Sequence, residues 1–454
     1  MKKWSFLIFI LSFFSIASPV FAESNIESRI RSLEEMLKKQ EETIKAQQEM
    51  INELKQQIKK EGIASAADAD ADANESKNTT EVQPPAKPAG LFGGSALSNP
   101  NISLILNTFA YSSNLTTDEV RNRSIPWYTT TGLDRRNGFN LDSAELAIYA
   151  PVDPYFNLYA TIPVTEDGAT VEEAYFVTTA LPAGHQIKGG KFKSGFGRLN
   201  SQHAHAWDFV DAPLPYRAFI GDEGFSDLGV QYTYIPPLPF YTILGFEALQ
   251  GEDETLFGTN AASGAHAYTA FIKSSLDISD NATILFGPSV ITGKTKTATV
   301  APDTDFNGDT TLYGLEFTYK WKPTKYHGFK VQSEYLYRTQ AGDLTDLGNG
   351  GMQRLDRNQD GLYVQSVYMQ NRWEFGARYD VLGLFKNDYI LAGEKQDQGR
   401  NPWRATGMID YTFSEFSLMR LQYTHDESDI NGKPNDELFL QLIFSIGAHP
   451  AHQF

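Results

Sequence analysis

Two imidazoles and two carboxylates crowd into the segment His203-Ala204-His205-Ala206-Trp207-Asp208-Phe209-Val210-Asp211, a donor set that suits a divalent cation such as zinc. A metal site needs three or four ligands converging on one point. The same mixture of polar and aromatic side chains serves equally as a loop folded against an inner wall. That second reading is preferred, so His203, His205, Trp207 and Asp208 are expected to form a constriction. Two other segments carry calcium-like spacing: Asp303-Thr304-Asp305-Phe306-Asn307-Gly308 and Asp356-Arg357-Asn358-Gln359-Asp360-Gly361. Both match the first half of an EF-hand loop, where oxygens at alternate positions precede a tight glycine turn. The twelfth position is Gly314 or Val367, so the bidentate Glu is missing from both, and turn-forming chemistry is the stronger reading. The calcium reading would make Asp303, Asp305, Asn307, Asp356, Asn358 and Asp360 structural ligands in extracellular loops; no other cofactor is expected. Gly287 to Lys294 has one residue too many between its glycines for a phosphate loop. No Gly-x-Ser-x-Gly, His-Glu-x-x-His or dinucleotide signature occurs, and cysteine is absent, so no enzyme is expected.

The elements that must hold these residues have a consistent texture from about residue 102 to 447. Segments of about ten residues alternate apolar and polar, as in transmembrane strands with one face in lipid and the other in water. In Leu438-Phe439-Leu440-Gln441-Leu442-Ile443-Phe444-Ser445-Ile446, for example, Leu438, Leu440, Leu442, Phe444 and Ile446 share a face. Sixteen strands are expected, starting near 102, 139, 155, 169, 186, 228, 240, 265, 282, 310, 329, 362, 372, 402, 417 and 437. Short turns such as Pro151-Val152-Asp153-Pro154 and Ser279-Asp280-Asn281 alternate with long polar connections at about 113–138, 199–227, 251–264, 295–309, 340–361 and 384–401. The fold class is therefore an all-β transmembrane antiparallel barrel of the bacterial outer-membrane kind, long loops outside and short turns in the periplasm. A soluble sandwich or propeller would use shorter strands without that asymmetry. The formal charge of −17 argues against a nucleic-acid partner.

The N-terminal region differs. Residues 1–22 have the Lys2-Lys3 start, the apolar Trp4 to Ile16 run and the Val20-Phe21-Ala22 end expected of a signal peptide. Residues 23–62 carry a heptad seam, Ile30, Leu37, Ile44, Ile51 and Ile58 with Ile26, Leu33, Gln40, Gln47 and Leu54, predicting a periplasmic α-helical coiled coil. Residues 63–98, with Asp-Ala alternation and a Pro84-Pro85 and Pro88 cluster, predict a disordered tether. Residues 99–454 form the barrel.

The run Lys188-Gly189-Gly190-Lys191-Phe192-Lys193-Ser194-Gly195-Phe196-Gly197-Arg198, followed by a long loop and Gly221-Asp222-Glu223-Gly224-Phe225-Ser226-Asp227-Leu228-Gly229-Val230-Gln231, resembles the phosphate-selective porin O and P family. The runs Ala150 to Phe156 and Gln202 to Asp211 are similar to outer-membrane barrel proteins labelled zinc-regulated or TonB-dependent receptors. The resemblance implies a porin-like channel for passive diffusion of small hydrophilic solutes or ions. The alternative it implies is an uptake receptor for a metal or metal chelate; residues 64–100 are too short to supply the plug such receptors carry. Outer-membrane lipid, lipopolysaccharide and the barrel-assembly machinery are the implied partners. Barrel-assembly machinery commonly reads a terminal aromatic, here Phe454, although Pro450 intervenes after the last strand. A homo-oligomer, specifically a trimer, is expected by architectural analogy. Alternation places Lys191 and Lys193 opposite Phe192 and hence toward the lumen, together with Lys330, Glu334, Arg338, Arg378, Arg404 and Arg420. Glu316, Glu374, Asp380, Asp410 and Asp426 are expected inside as well. Mixed signs give weak ion selectivity, so the family's anion preference is not carried over on Lys191 and Lys193 alone.

Overall fold

A computed structural model describes residues 100–259 and 264–447. The signal peptide, coiled coil and tether expected at 1–22, 23–62 and 63–98 lie outside the described residues, as does Phe454. In chain order the first eight strands are β1 (Asn101–Ser113), β2 (Gly138–Pro151), β3 (Phe156–Thr165), β4 (Glu173–Thr178), β5 (His185–Lys193), β6 (Ser226–Tyr234), β7 (Tyr241–Leu249) and β8 (Ala267–Ser279). The second eight are β9 (Ala282–Ala298), β10 (Thr304–Thr324), β11 (His327–Asp346), β12 (Met352–Gln370), β13 (Trp373–Leu391), β14 (Trp403–Ser414), β15 (Ser417–Asp426) and β16 (Asn435–Gly447). Two-residue pieces, Gly168–Ala169 and Glu394–Lys395, extend the ends of β3 and β13. Each strand pairs antiparallel with its sequence neighbour. β16 returns to β1 in a ladder from Ser103 opposite Gly447 to Ser113 opposite Glu437, so the sheet closes and has no free edge.

The side-chain period of two assigns the faces. Along β1, Ser103, Ile105 and Asn107 are buried while Ile102, Leu104 and Leu106 are exposed. Along β16, Glu437, Phe439 and Gln441 are buried, and Phe444 and Ile446 lie on the exposed side with Leu438, Leu440 and Leu442. Leu228, Val230, Phe246, Leu315 and Phe317 continue the exposed apolar belt around the wall. A belt this extensive, enclosing a polar interior, is stable only against hydrocarbon. Aromatic residues collect near the short turns, where Tyr155, Phe240, Trp321, Tyr326, Trp373 and Phe416 are exposed, as at a membrane–water boundary.

The strand count and most strand starts agree with the sequence reading; the long loops agree only in part. Residues 114–137 and 194–225 are long connections as expected. The expected loops at 295–309 and 340–361 are instead largely strand, closed by short turns at 299–303 and 347–351. The ladder between β12 and β13 likewise runs out to Leu355 opposite Leu391, well into the loop expected at 384–401. These hairpins continue past the apolar belt, so both faces can be polar and the Asp, Asn and Gly content that signals loops is tolerated in strand. Their inner side packs Phe306, Leu344, Leu355 and Tyr389 into an apolar cluster with Trp127 from the first long loop.

The same finding shows where the calcium-like segments lie. Asp303 forms part of a turn at φ 55°, but Asp305 and Asn307 are in β10, and Asn307 Oδ1 accepts the Thr297 N–H at 3.1 Å. Asp356, Asn358 and Asp360 occupy alternate positions of β12. Asp360 accepts the Tyr335 hydroxyl at 2.8 Å and the Lys386 N–H at 3.0 Å. Alternate residues of a strand stand roughly 6.5–7 Å apart along its axis, so their oxygens run in a row and do not wrap an ion. The spacing is a by-product of strand alternation.

If Leu440 faces hydrocarbon near mid-wall, Leu440→Arg should destabilise the folded barrel by about 2–4 kcal/mol in reversible urea unfolding from lipid vesicles. Wild-type stability of that variant would remove this face from the membrane.

Candidate functional site: the inward-folded loop and the charges that grip it

The connection 194–225 does not project outward; it folds into the barrel. It contains two 3₁₀ turns, Leu199–Ser201 and Ala204–Ala206, and a short helix, α1 (Leu214–Phe219), whose residues are all buried. Phe196, Trp207, Tyr216, Phe219 and Phe225 join Phe192 of β5 in an interior apolar cluster. This backbone has no ladder to pair with, so each buried N–H and C=O needs another partner. Wall side chains supply many of them.

Glu247 of β7 takes the loop's first residues, accepting from the Ser194 hydroxyl at 2.5 Å and the Gly195 N–H at 2.8 Å. Glu334 of β11 accepts the N–H groups of Arg198 and Leu199 at 2.8 and 3.0 Å, and the hydroxyls of Tyr216 and Tyr363 at 2.8 and 2.5 Å. A Cβ on Gly197, whose φ is 60°, would lie 2.3 Å from Glu334 Oε2, so glycine is what lets the chain reach this carboxylate. Asp380 of β13 accepts the Leu214 N–H at 3.1 Å. Asp211, at the loop's centre, receives Arg378 at 2.9 Å, Arg404 at 2.7 Å and Gln422 at 2.9 Å. Burial opposes charge on Asp211, but Arg404 and Arg378 outweigh it and hold its carboxyl far below the ordinary range. Arg338 donates to the Ala218 carbonyl at 3.3 Å and stacks over Phe219.

Of the residues expected to line the lumen, Lys330, Glu334, Arg338, Arg378, Arg404 and Arg420 do face inward. Only Lys330 keeps appreciable exposure; its ammonium meets Asp208 at 2.5 Å with the side chain 31% exposed. The others are buried. Arg420 is spent on the wall itself, against Asp410 of the neighbouring strand at 2.8 Å. Lys191 and Lys193 depart from expectation. Phe192 is fully buried inside, and Lys191 pairs across the sheet with exposed Leu228 on the outer face. Lys193, at the end of β5, is buried against Glu172 at 2.7 Å and the Glu223 carbonyl at 2.8 Å. Alternation separates two faces but does not say which is inside. An apolar loop in the lumen inverted the assignment.

His203, His205, Trp207 and Asp208 all lie in the inward-folded loop. The histidines do not meet Asp208 and Asp211, which are engaged by Lys330 and by Arg378 and Arg404. They meet Glu145 of β2 and the Glu172-Glu173 pair at the start of β4. His203 Nδ1 lies 3.1 Å from Glu172 and its Nε2 3.0 Å from Glu173, while His205 Nδ1 lies 3.1 Å from Glu145. Among the described residues, Glu145, Glu172 and His203 are the group whose ligand atoms converge closely enough to hold a metal. Sequence reasoning missed the three glutamates because they are distant in the chain; the adjacent Glu172-Glu173 pair before a strand was the available signal. Burial disfavours the imidazolium of His203, but hydrogen bonds to Glu172 and Glu173 outweigh it and the pKa is pushed up to about 10. Glu172, opposed by burial but bonded to His203 and Lys193, is held well below its usual range.

Taken together, a closed antiparallel barrel, apolar outside and charged inside, with a long loop folded into its lumen, defines a porin-type barrel. No family model matches the sequence. The fold is similar to the outer membrane channel DcaP of Acinetobacter baumannii, at TM-score 0.50 and 13% identity over 77% of this chain and 98% of that one. It is also similar to an anion-selective porin from Comamonas acidovorans, at TM-score 0.51 and 9% identity over 77% and 100% of the two chains. Over 380 residues the sequence is 40% identical to a protein of Aquifex aeolicus described as uncharacterized, covering 78% of this chain and 80% of that one. The chain belongs to the same family as that protein.

Two outcomes follow for the loop. Asp211→Asn should leave the buried Arg378 and Arg404 to share the single carboxylate of Asp380, one charge uncompensated, and destabilise the loop's docking by about 3–5 kcal/mol. Because cysteine is absent, a spin label on Ser201→Cys reports this directly as increased mobility; an unchanged spectrum would deny Asp211 its role. In chelator-containing buffer the His203 clamp should also depend on pH. The raised His203 pKa stabilises docking fully below about 6.5, and that contribution is lost as pH climbs through about 10. The lowered Glu172 pKa stabilises docking above about 4.5 and is lost as pH falls through its folded value. The label should therefore be most immobile near pH 4.5–6.5 and loosen on either side, with His203→Gln abolishing the alkaline limb.

Proposed function

We propose that the protein is an outer-membrane channel for small hydrophilic solutes or ions, with the loop 194–225 as its constriction. The carrying observation is the loop's seat: a wall of inward-facing charges holds it across a lumen whose outside is lipid-compatible. A soluble protein would have no use for the exposed belt, and a purely structural barrel would not need a polar interior. The packing of α1 and Phe196, Trp207 and Phe219 supports a narrow resting passage in place of a wide, open one. Lys330 and Asp208 border that passage and set its local field as a mixed pair, which favours weak ion selectivity. The reading includes lipopolysaccharide at the outer rim, insertion by the barrel-assembly machinery, and a homotrimer. Finding only monomers by cross-linking and light scattering would remove the trimer.

Single-channel recording across a planar bilayer with a salt gradient tests the central claim. Discrete ohmic steps are expected, small in the wild type and larger in Asp211→Asn as the loop is released. A silent bilayer for both proteins, with insertion confirmed, would overturn the channel.

A further inference from the structure

We infer that Glu145, Glu172 and His203 form a divalent-cation site that staples the lumen loop to the barrel wall. The three ligands come from three separate pieces of chain: β2, the connection preceding β4, and the turn at 204–206 that His203 opens. One ligand atom of each lies within 4.8 Å of the other two. His203 Nδ1 is 3.1 Å from Glu172 Oε2 and 3.8 Å from Glu145 Oε2. Ligand bonds of about 2.0–2.2 Å place donors around a tetrahedral ion roughly 3.3–3.5 Å apart, so small side-chain shifts suffice to admit one.

Further features point to a cation as the occupant. Glu145 is 5% exposed, and its Oε1 has no hydrogen-bond partner among the described residues. A buried carboxylate oxygen without a donor is costly, and a metal held by both oxygens of Glu145 would satisfy it. His203 offers its Nδ1 to the cluster while Glu173 Oε2 sits 3.0 Å behind its Nε2. A carboxylate behind the imidazole is what orients a ligating histidine and raises its basicity. His205, stacked on His203 with ring centroids 5.7 Å apart, meets Glu145 Oε2 at 3.1 Å and fixes the orientation of that carboxylate. Lys193 engages the other oxygen of Glu172, Oε1, leaving Oε2 directed at His203. Imidazole with carboxylates favours zinc and similar transition ions over calcium.

The test uses the full-length chain, folded in detergent and stripped with chelator, titrated with zinc chloride by calorimetry. One zinc per chain is expected, undisturbed by excess calcium, and the Ser201→Cys label should become less mobile on its addition. His203→Gln and Glu145→Gln should each weaken binding by roughly tenfold to a hundredfold or more. His425→Gln, on a distant strand, should leave it unchanged. Glu172→Gln lies outside the strands and tests the same site should Glu145→Gln fail to fold, with far-UV circular dichroism as the check. Absence of zinc binding, or binding indifferent to the His203 and Glu172 variants, would reduce the cluster to an ion-pair network and overturn the site. Because binding is read directly, the outcome does not depend on whether the barrel conducts.

Discussion

A loop threaded through a barrel must find partners for a backbone that no ladder can satisfy, and the rest of this interior follows from that requirement. Water could solvate such a backbone, but the loop also carries Phe196, Tyr216, Phe219 and Phe225, which bury only by excluding water. The conflict is resolved by wall side chains long enough to reach inward. Carboxylates at Glu247, Glu334 and Asp380 take loop N–H groups, and guanidiniums at Arg338, Arg378 and Arg404 take loop carbonyls. Charged partners make stronger hydrogen bonds than neutral ones, which suits a segment that lacks regular structure.

That arrangement decides what the interior charges are for. Rings of one sign around a lumen would set ion selectivity. Here Arg378 and Arg404 converge on Asp211 and Asp380, and Arg420 on Asp410, so these charges neutralise one another below the solvent-exposed surface, while Glu247, Glu334 and Arg338 are spent on loop backbone and hydroxyls. Their contribution is positional. The field in any remaining passage comes from the minority that stay partly exposed, Lys330 and Asp208 among them.

How much of this the residues disclosed divides along a physical line. The period-two pattern makes strands, their number and their two faces legible, because burial on one side of a sheet constrains every second residue. It leaves the identity of the inner face open wherever the lumen is itself apolar, which is why Phe192 and Lys191 exchanged sides. It also fails where strands run beyond the membrane, since Asp303-Thr304-Asp305 and Asp356-Arg357-Asn358 obey turn chemistry in composition and strand geometry in fact. From His203 to Asp208 the loop was legible as a segment folded against the inner wall. Its partners were not, because Glu145, Glu172 and Asp380 are brought to it only by closure of the sheet.

The barrel wall is uneven, and the unevenness bears on how the loop is held. Strands β9 to β13 run 17–21 residues, whereas β3 to β7 run 6–10. On the tall side the loop meets Glu334, Arg338, Arg378 and Asp380, and most of these contacts join buried groups of opposite sign or carboxylates to backbone N–H. On the low side Glu247 holds the loop's first residues, and next to it Glu145, Glu172 and Glu173 meet His203 and His205 in bonds that depend on an imidazole that can lose a proton or take a metal. Breaking the first set leaves uncompensated buried charge, a cost of several kcal/mol for each pair. Breaking the second requires only that one ring change its state. Release at the histidines frees only the middle of the loop, between the Glu334 grip on Arg198 and Leu199 and the anchor at Asp211.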